Sequence, residues 1–237
     1  MVTSNWTILC DFDGTVTRED VTDALLVKLG RPGWEFLEAQ WRSGTIGSRE
    51  CMTGQVSLLG SDASDLDAVI DGIGIDPGFP AFVKAARAVG MQVIILSDGL
   101  DYAIERILAT HGIDPPLQVV ANHLLRTQAH NWQLEFPHAQ VNCRSGNCKC
   151  ACAQRQQLLG RSTLLIGDGQ SDVCVAGRAD FVFAKDRLLE HCRSTGIEHH
   201  PITGFAEAAA LLPALLAGEL TPDTRSIPLP LPRIQYA

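Results

Sequence analysis

The 237-residue chain lacks any apolar run approaching the ~18 residues of a membrane-spanning helix. Its richest apolar stretch, Phe205 to Ala217, is broken by Glu207 and Pro213. No membrane partner is therefore expected. The N-terminus has no basic region, no long apolar segment and no small-residue cleavage site, so no secretory leader is expected and the cytoplasm is the expected compartment. Basic residues are short: 19 Lys and Arg stand against 27 Asp and Glu, a net charge of −8. That average field repels a phosphate backbone, so nucleic acid is not an expected partner. There is no internal repeat. With 46% apolar and 19% charged residues, disorder, collagen and coiled coil are excluded. What remains is one large domain, or one domain with an insertion, able to bury a core without staples.

Apolar patterning organises the chain. Trp6 to Cys10 is a short, partly β-branched run that ends in Asp11-Phe12-Asp13-Gly14-Thr15. Gln92 to Leu96 is a second such run, ending in Ser97-Asp98-Gly99, and Thr163 to Ile166 another, ending in Gly167-Asp168-Gly169. Leu117 to Ala121 and Phe181 to Phe183 are further strands, the latter expected to be the last in the core, and Leu125 to Phe136 suggests a hairpin. Helical spacing fills the intervals: Phe79 to Val89, Leu100 to His111, Ala151 to Leu159 and Asp172 to Arg178. Short buried strands alternating with helices predict an α/β fold, a Rossmann-like parallel sheet covered on both faces. Ligands of such sheets sit at the carboxyl ends of the strands. From about Val16 to Gly78 the alternation stops and helical spacing takes over, which predicts an insertion after the first strand. Within it Trp34, Phe36, Leu37 and Trp41 are expected to form a core, or alternatively an apolar lid. His199-His200 is expected on the surface, and the proline-rich tail is expected to be extended.

The strand-end loops carry the chemistry. Asp11 and Asp13 are two apart, which in continued strand geometry puts two like charges on one face. Asp168 ends a strand that could lie beside the first. Three carboxylates at one edge call for a cation, and hard oxygen ligands suit Mg²⁺. Aspartates at loop starts also cap helices, as can Ser97, so each motif alone is ambiguous.

Taken in order, Asp11-Phe12-Asp13-Gly14-Thr15, a strand ending in Ser97, a lysine and Gly167-Asp168-Gly169-Gln170-Ser171-Asp172 resemble the haloacid dehalogenase superfamily over roughly residues 6 to 185. The resemblance implies a core of residues 1–16 and 79–218, a helical cap of residues 17–78 and a tail of residues 219–237. It implies that Asp11 is the nucleophile forming an aspartyl-phosphate and Asp13 the general acid and base. The second Asp is a mark of the phosphatases, which the dehalogenases lack. Asp11, Asp168 and the backbone carbonyl of Asp13 would hold Mg²⁺. Ser97, Asp98 and Gly99, with neighbouring N–H groups and Lys149, would bind the phosphoryl oxygens. Lys149 is chosen over Lys84 and Lys185 for its place between the second and last motifs, and Asp172 would position it or a metal-bound water. Asp98 and Gln170 also read as loop formers. Asp11, Asp168 and a phosphate dianion bring about four negative charges, and Mg²⁺ with Lys149 returns about three.

The inserted helices resemble those of the phosphoserine phosphatase-like branch: Thr17-Arg18-Glu19-Asp20 follows the first motif, and Val56-Ser57-Leu58-Leu59 recurs. That branch has an arginine where this chain has Gln55 and a glutamate where it has Asp20, which marks both as substrate-specificity candidates. Arg42 and Arg49 are possible substitutes for the arginine. The chain is also similar to the methionine-salvage phosphatases of 2-hydroxy-3-keto-5-methylthiopentenyl-1-phosphate. The shared pieces are the Thr-x-Glu-Asp, a cysteine-rich lysine loop and Ala184-Lys185-Asp186-Arg187-Leu188-Leu189-Glu190-His191-Cys192. The expected substrate is accordingly a small phosphorylated metabolite. Cys143, Cys148, Cys150 and Cys152 leave two readings open: a tight loop of small, buried residues that aims Lys149, or a metal or redox site.

Overall fold

Alternate residues of the first apolar run point to opposite sides. Ile8 and Cys10 join one apolar cluster and Leu9 joins a second. This is β1 (Trp6–Cys10), and its two buried faces make it the central strand of the molecule. The computed structural model describes residues 4–128, 131–221 and 223. The other strands are β2 (Gln92–Leu100), β3 (Gln118–Gln128), β4 (Asn131–Glu135), β5 (Ser162–Gly167), β6 (Phe181–Ala184) and β7 (His199–Pro201). They form one seven-stranded sheet in the order β4-β3-β2-β1-β5-β6-β7. All pairs are parallel except the β3–β4 hairpin.

Register sets the site. Cys10 pairs with Ile95 of β2 on one side and with Ile166 of β5 on the other. The residues that follow, Asp11, Ser97 and Asp168, therefore leave the sheet at one level. β2 runs to Leu100 rather than stopping at Leu96, because its pairing with β3 shifts register between Leu96 and Leu100. That irregularity lifts Ser97-Asp98-Gly99 out of the ladder while keeping it extended.

Helices cover both faces. After β1 come α1 (Val21–Leu29), α2 (Trp34–Arg42), α3 (Ser48–Ser57) and α4 (Ala63–Ile70), followed by α5 (Phe79–Ala88) and α6 (Asp101–Thr110). Later come α7 (Lys149–Leu158), α8 (Val173–Ala176), α9 (Asp186–Thr195) and α10 (Phe205–Ala217). Asp20 and Asp62 start α1 and α4 by accepting first-turn N–H groups. Phe79 and Phe205 meet edge to face at 4.8 Å and seat α10 on α5. The chain leaves the sheet layer at Thr17 and returns at Ile75 through an antiparallel bridge. No helix among the described residues is long and apolar enough to cross a membrane.

Three expectations are corrected. Trp34, Phe36, Leu37 and Trp41 do not form a core: α2 has no buried residue, and Phe36 is 67% exposed. Trp34, Leu37 and Trp41 are half-buried on one side of the helix, while Glu35, Phe36 and Ala39 are exposed on the other. Phe181 to Phe183 is not the last strand, because β7 adds to the edge of β6. That pairing buries His199 completely, with its Nδ1 2.7 Å from the Ile197 carbonyl, while three residues are too few to reveal a strand in sequence. Of the expected tail only residues 219–221 and 223 are described; the Pro-Leu-Pro-Leu-Pro run lies outside them.

Candidate active site

Asp11 follows β1 directly, and its N–H donates to Ile166 O, 2.9 Å away. The residue is 5% exposed, and its carboxylate lies 2.8 Å from Lys149 Nζ. Lys149 is the first residue of α7 and is itself 5% exposed. The same ammonium contacts Asp172 Oδ1 at 2.7 Å and donates to Ser171 Oγ at 3.0 Å. Lys149 is thus the lysine at the first motif. Lys185 reaches only the Gly14 carbonyl, at 3.1 Å, and Lys84 lies on the exposed side of α5.

Asp13 is held differently. Its Oδ1 accepts the Val21 N–H at 2.9 Å and its Oδ2 accepts from Ser97 Oγ at 3.1 Å. Ser97 Oγ in turn accepts the Gly99 N–H at 2.8 Å. A Cβ on Gly99 would sit 2.6 Å from Asp13 Oδ2, so the motif needs glycine there. Gly14 has φ +72°, and a Cβ on it would meet Asp168 Oδ2 at 2.7 Å. Asp168 also accepts from Thr15 Oγ1.

Asp98 turns away from phosphate work. Its two oxygens accept from Ser48 Oγ on α3 and from the Asn147 N–H beside Lys149. A carboxylate already accepting on both oxygens would repel a phosphoryl group, so only its main chain could serve. Asn147 Nδ2 donates to Ser97 O and Val120 O, which fixes the lysine loop to the strand-end loop.

Burial sets the electrostatics. It pushes the Asp11 carboxyl well above the ordinary carboxylate range, and Asp172 adds to this against the pull of Lys149. Burial raises Asp13 and Asp168 as well, against hydrogen bonds from Val21 and Ser97 to the first and from Thr15 to the second. For Lys149, burial alone would lower the ammonium, but Asp11 and Asp172 outweigh it and hold it charged. Carboxylate oxygens of Asp11, Asp168 and Asp172 lie within 4.8 Å of one another. One lysine cannot compensate three such groups. Their oxygen donors and their crowding fit a hard divalent cation. Asp172 is already engaged by Lys149, and Asp13 has only its main-chain carbonyl to offer.

These groups open into a cavity of about 170 Å³. Its wall includes both specificity candidates, Asp20 and Gln55. It also includes Thr22, Asp23, Glu38, Trp41, Ser48 and Met52, none of which was singled out from sequence except Trp41. Glu38 and Trp41 are three apart on α2, a spacing that gives a shared face but not what that face covers. Arg42 and Arg49 do not line the cavity: Arg42 pairs with Glu38 at 2.8 Å, and Arg49 donates to carbonyls of residues 140, 143 and 145. The four loop cysteines are half-buried rather than buried, and they do not converge as a metal-binding group.

Residues 8–177 match the family model of haloacid dehalogenase-like hydrolases. An Exiguobacterium protein named 2-hydroxy-3-keto-5-methylthiopentenyl-1-phosphate phosphatase is 30% identical over 210 residues, 86% of this chain and 96% of that relative. A HAD family hydrolase of Salmonella enterica serovar Typhi superposes with a TM-score of 0.68 at 20% identity, covering 89% of this chain and 71% of that one. A substrate-bound phosphoserine phosphatase does so with a TM-score of 0.63, also at 20% identity, covering 79% and 90%.

Proposed function

Because the chain belongs to the haloacid dehalogenase-like hydrolases and is a phosphatase, we propose that it hydrolyses the monoester of a small phosphorylated metabolite through an aspartyl-phosphate on Asp11, with Mg²⁺ as cofactor. The observation that carries this reading is the 2.8 Å contact between Asp11 and a lysine buried between it and Asp172. Lys149 holds one oxygen of Asp11, which leaves the other to attack phosphorus. A bond forms between Asp11 and phosphorus as the bond to the leaving oxygen breaks. Asp13, whose burial favours its protonated form, gives that oxygen its proton. The resulting carboxylate then takes a proton from water as the water oxygen attacks phosphorus and releases Asp11. Ser97 and the main-chain N–H of Asp98, both on the cavity wall, would meet the phosphoryl oxygens. Asp11, Asp168 and the Asp13 carbonyl would hold Mg²⁺, which when bound supplies positive charge to the phosphoryl oxygens.

Residues 17–78 serve as a cap that excludes bulk water from the phosphorylated enzyme. Eight free thiols suit a cytoplasmic setting. A narrower substrate reading is the enol phosphate in the relatives' name, which Trp41 and Met52 favour by giving the cavity an apolar wall for a methylthio group.

The test is phosphate release from a panel of phosphometabolites with Mg²⁺ and with EDTA. Release should stop in EDTA and return with Mg²⁺. Asp11→Asn should lower turnover by about 10⁴ or more with unchanged circular dichroism. Substantial activity in the folded variant would remove Asp11 as nucleophile.

A further inference from the structure

The cavity is one-sided in charge. Its lining contains seven carboxylates, Asp11, Asp13, Asp20, Asp23, Glu38, Asp98 and Asp168, and no lysine, arginine or histidine. Those at the strand ends have Lys149 behind them, and a metal site among them. Asp20 and Asp23 at the start of α1 and Glu38 on α2 add a second acidic group to the wall, and among the described residues the cation paired with it is Arg42, on Glu38 Oε1. Asp20 accepts the Asp23 N–H on one oxygen, and the Asp23 side chain accepts no hydrogen bond among the described residues. Asp23 is half-buried, and burial first and the neighbouring carboxylates Asp20 and Glu38 second push it up to about 6; Asp20 is exposed and is raised by its neighbour Asp13.

A second observation, independent of these charges, comes from Gln55 and Thr22. Gln55 is 2% exposed, lines the cavity, and donates through Nε2 to Glu38 Oε2 at 3.2 Å. A carboxylate only accepts, so the amide nitrogen must face Glu38 and Oε1 is left with no hydrogen bond among the described residues. Thr22 is 5% exposed, lines the same wall, and its hydroxyl is likewise without a partner. Acceptors left open on the wall of a cavity can take a donor from a ligand. Trp41 completes the wall with an aromatic ring, a surface that suits an alkylammonium.

We propose that the substrate is the phosphomonoester of an amino alcohol, its ammonium group held by Asp20, Asp23 and Glu38 and donating to Gln55 Oε1. The inference rests on the phosphatase reading and narrows its substrate class. A second anionic group on the ligand would find no cationic side chain on the wall. The enol phosphate, whose leaving group carries no positive charge, leaves Asp20 and Asp23 without a counter-charge.

The experiment uses the full chain with Mg²⁺ and compares kcat/KM for phosphoethanolamine, phosphocholine, glycerol 1-phosphate and the methylthio enol phosphate. Phosphoethanolamine should exceed glycerol 1-phosphate by about tenfold or more, the worth of one charge-assisted hydrogen bond. Phosphocholine, with charge but no N–H, should fall between them. Glu38→Gln and Asp23→Asn should each lower the phosphoethanolamine-to-glycerol phosphate ratio by about tenfold, chiefly through KM. Asp23→Asn disturbs no hydrogen bond of the side chain, so it tests the charge where Glu38→Gln folds poorly. Preference for glycerol 1-phosphate or the enol phosphate, or a ratio unmoved by either substitution, would overturn the inference and leave the phosphatase reading standing. No release from any of the four, nor from p-nitrophenyl phosphate, would overturn both.

Discussion

At Asp23 function and stability pull in opposite directions. The side chain makes no hydrogen bond among the described residues, yet burial, Asp20 and Glu38 hold its carboxyl at about 6, above the ordinary ~3.9 of an unfolded aspartate. Between these values the folded chain binds a proton that the unfolded chain has released. The stability this group contributes is therefore greatest below about pH 4 and falls as pH rises towards 6. Above that the ionised group is a constant cost. Asp23→Asn should melt above the parent at pH 7.5 by a few degrees, about 1 kcal/mol once solvent screening is allowed for, and the gap should close at pH 4. Thermal melts at the two pH values check this. An equal gap at both would mean that the gain comes from packing rather than from charge. A residue that costs stability at neutral pH on a cavity wall is what a binding role would look like. Sequence alone did not single it out, because an aspartate in the first turn of a helix reads as support for the helix dipole.

At the scale of elements, Lys149 is aimed by a loop that α3 and the strand-end loop hold jointly. Arg49 of α3 reaches the carbonyls of Cys143 and Ser145 at 2.9 and 3.0 Å, and Arg144 of the loop answers by donating to Gly44 O and Thr45 O. Asp98 joins the same elements through Ser48 and Asn147. The sequence showed the two ends of this arrangement, the lysine and the strand-end aspartates, because a buried apolar run ending in acid is a local pattern. It did not show Arg49 in this role, since a guanidinium serving main-chain carbonyls leaves no pattern in side-chain spacing. Arg49→Ala should lower kcat/KM about tenfold by loosening Lys149, and make the segment from residue 136 to 148 more sensitive to protease. Arg49→Lys should recover only part of the loss, because an ammonium lacks the planar fork of donors. Full activity in Arg49→Ala would assign the aiming of Lys149 to Asn147 and Asp98 alone.

Across the whole molecule, one apolar cluster runs from the sheet through α5, α6 and α10 into α1 and α4, so the inserted helices share the core of the sheet rather than having their own. That is why α2 could be misread. Its aromatic spacing is helical, but the insertion buries its apolar residues towards the sheet and leaves α2 outside. The strand ends of the site were legible because β1, β2 and β5 are buried on both faces and run into loops of glycine and aspartate. The register that brings them level is a property of the assembled sheet. Folding alone therefore brings Asp11, Asp168 and Asp172 within 4.8 Å, and the cost of that crowding is borne by the native state. A cation that binds only this arrangement must stabilise the entire chain, by about 2.7 kcal/mol at a hundred times its dissociation constant. At about 2–4 °C per kcal/mol for a chain of this size, saturating Mg²⁺ should raise the melting temperature by roughly 5–10 °C. Asp168→Asn removes one of the crowded charges and keeps an acceptor for Thr15. It should melt higher than the parent in EDTA and lose most of the rise with Mg²⁺. If the variant kept the full rise, the metal would be bound elsewhere, and the repulsion at the strand ends would have to be met by Lys149 alone.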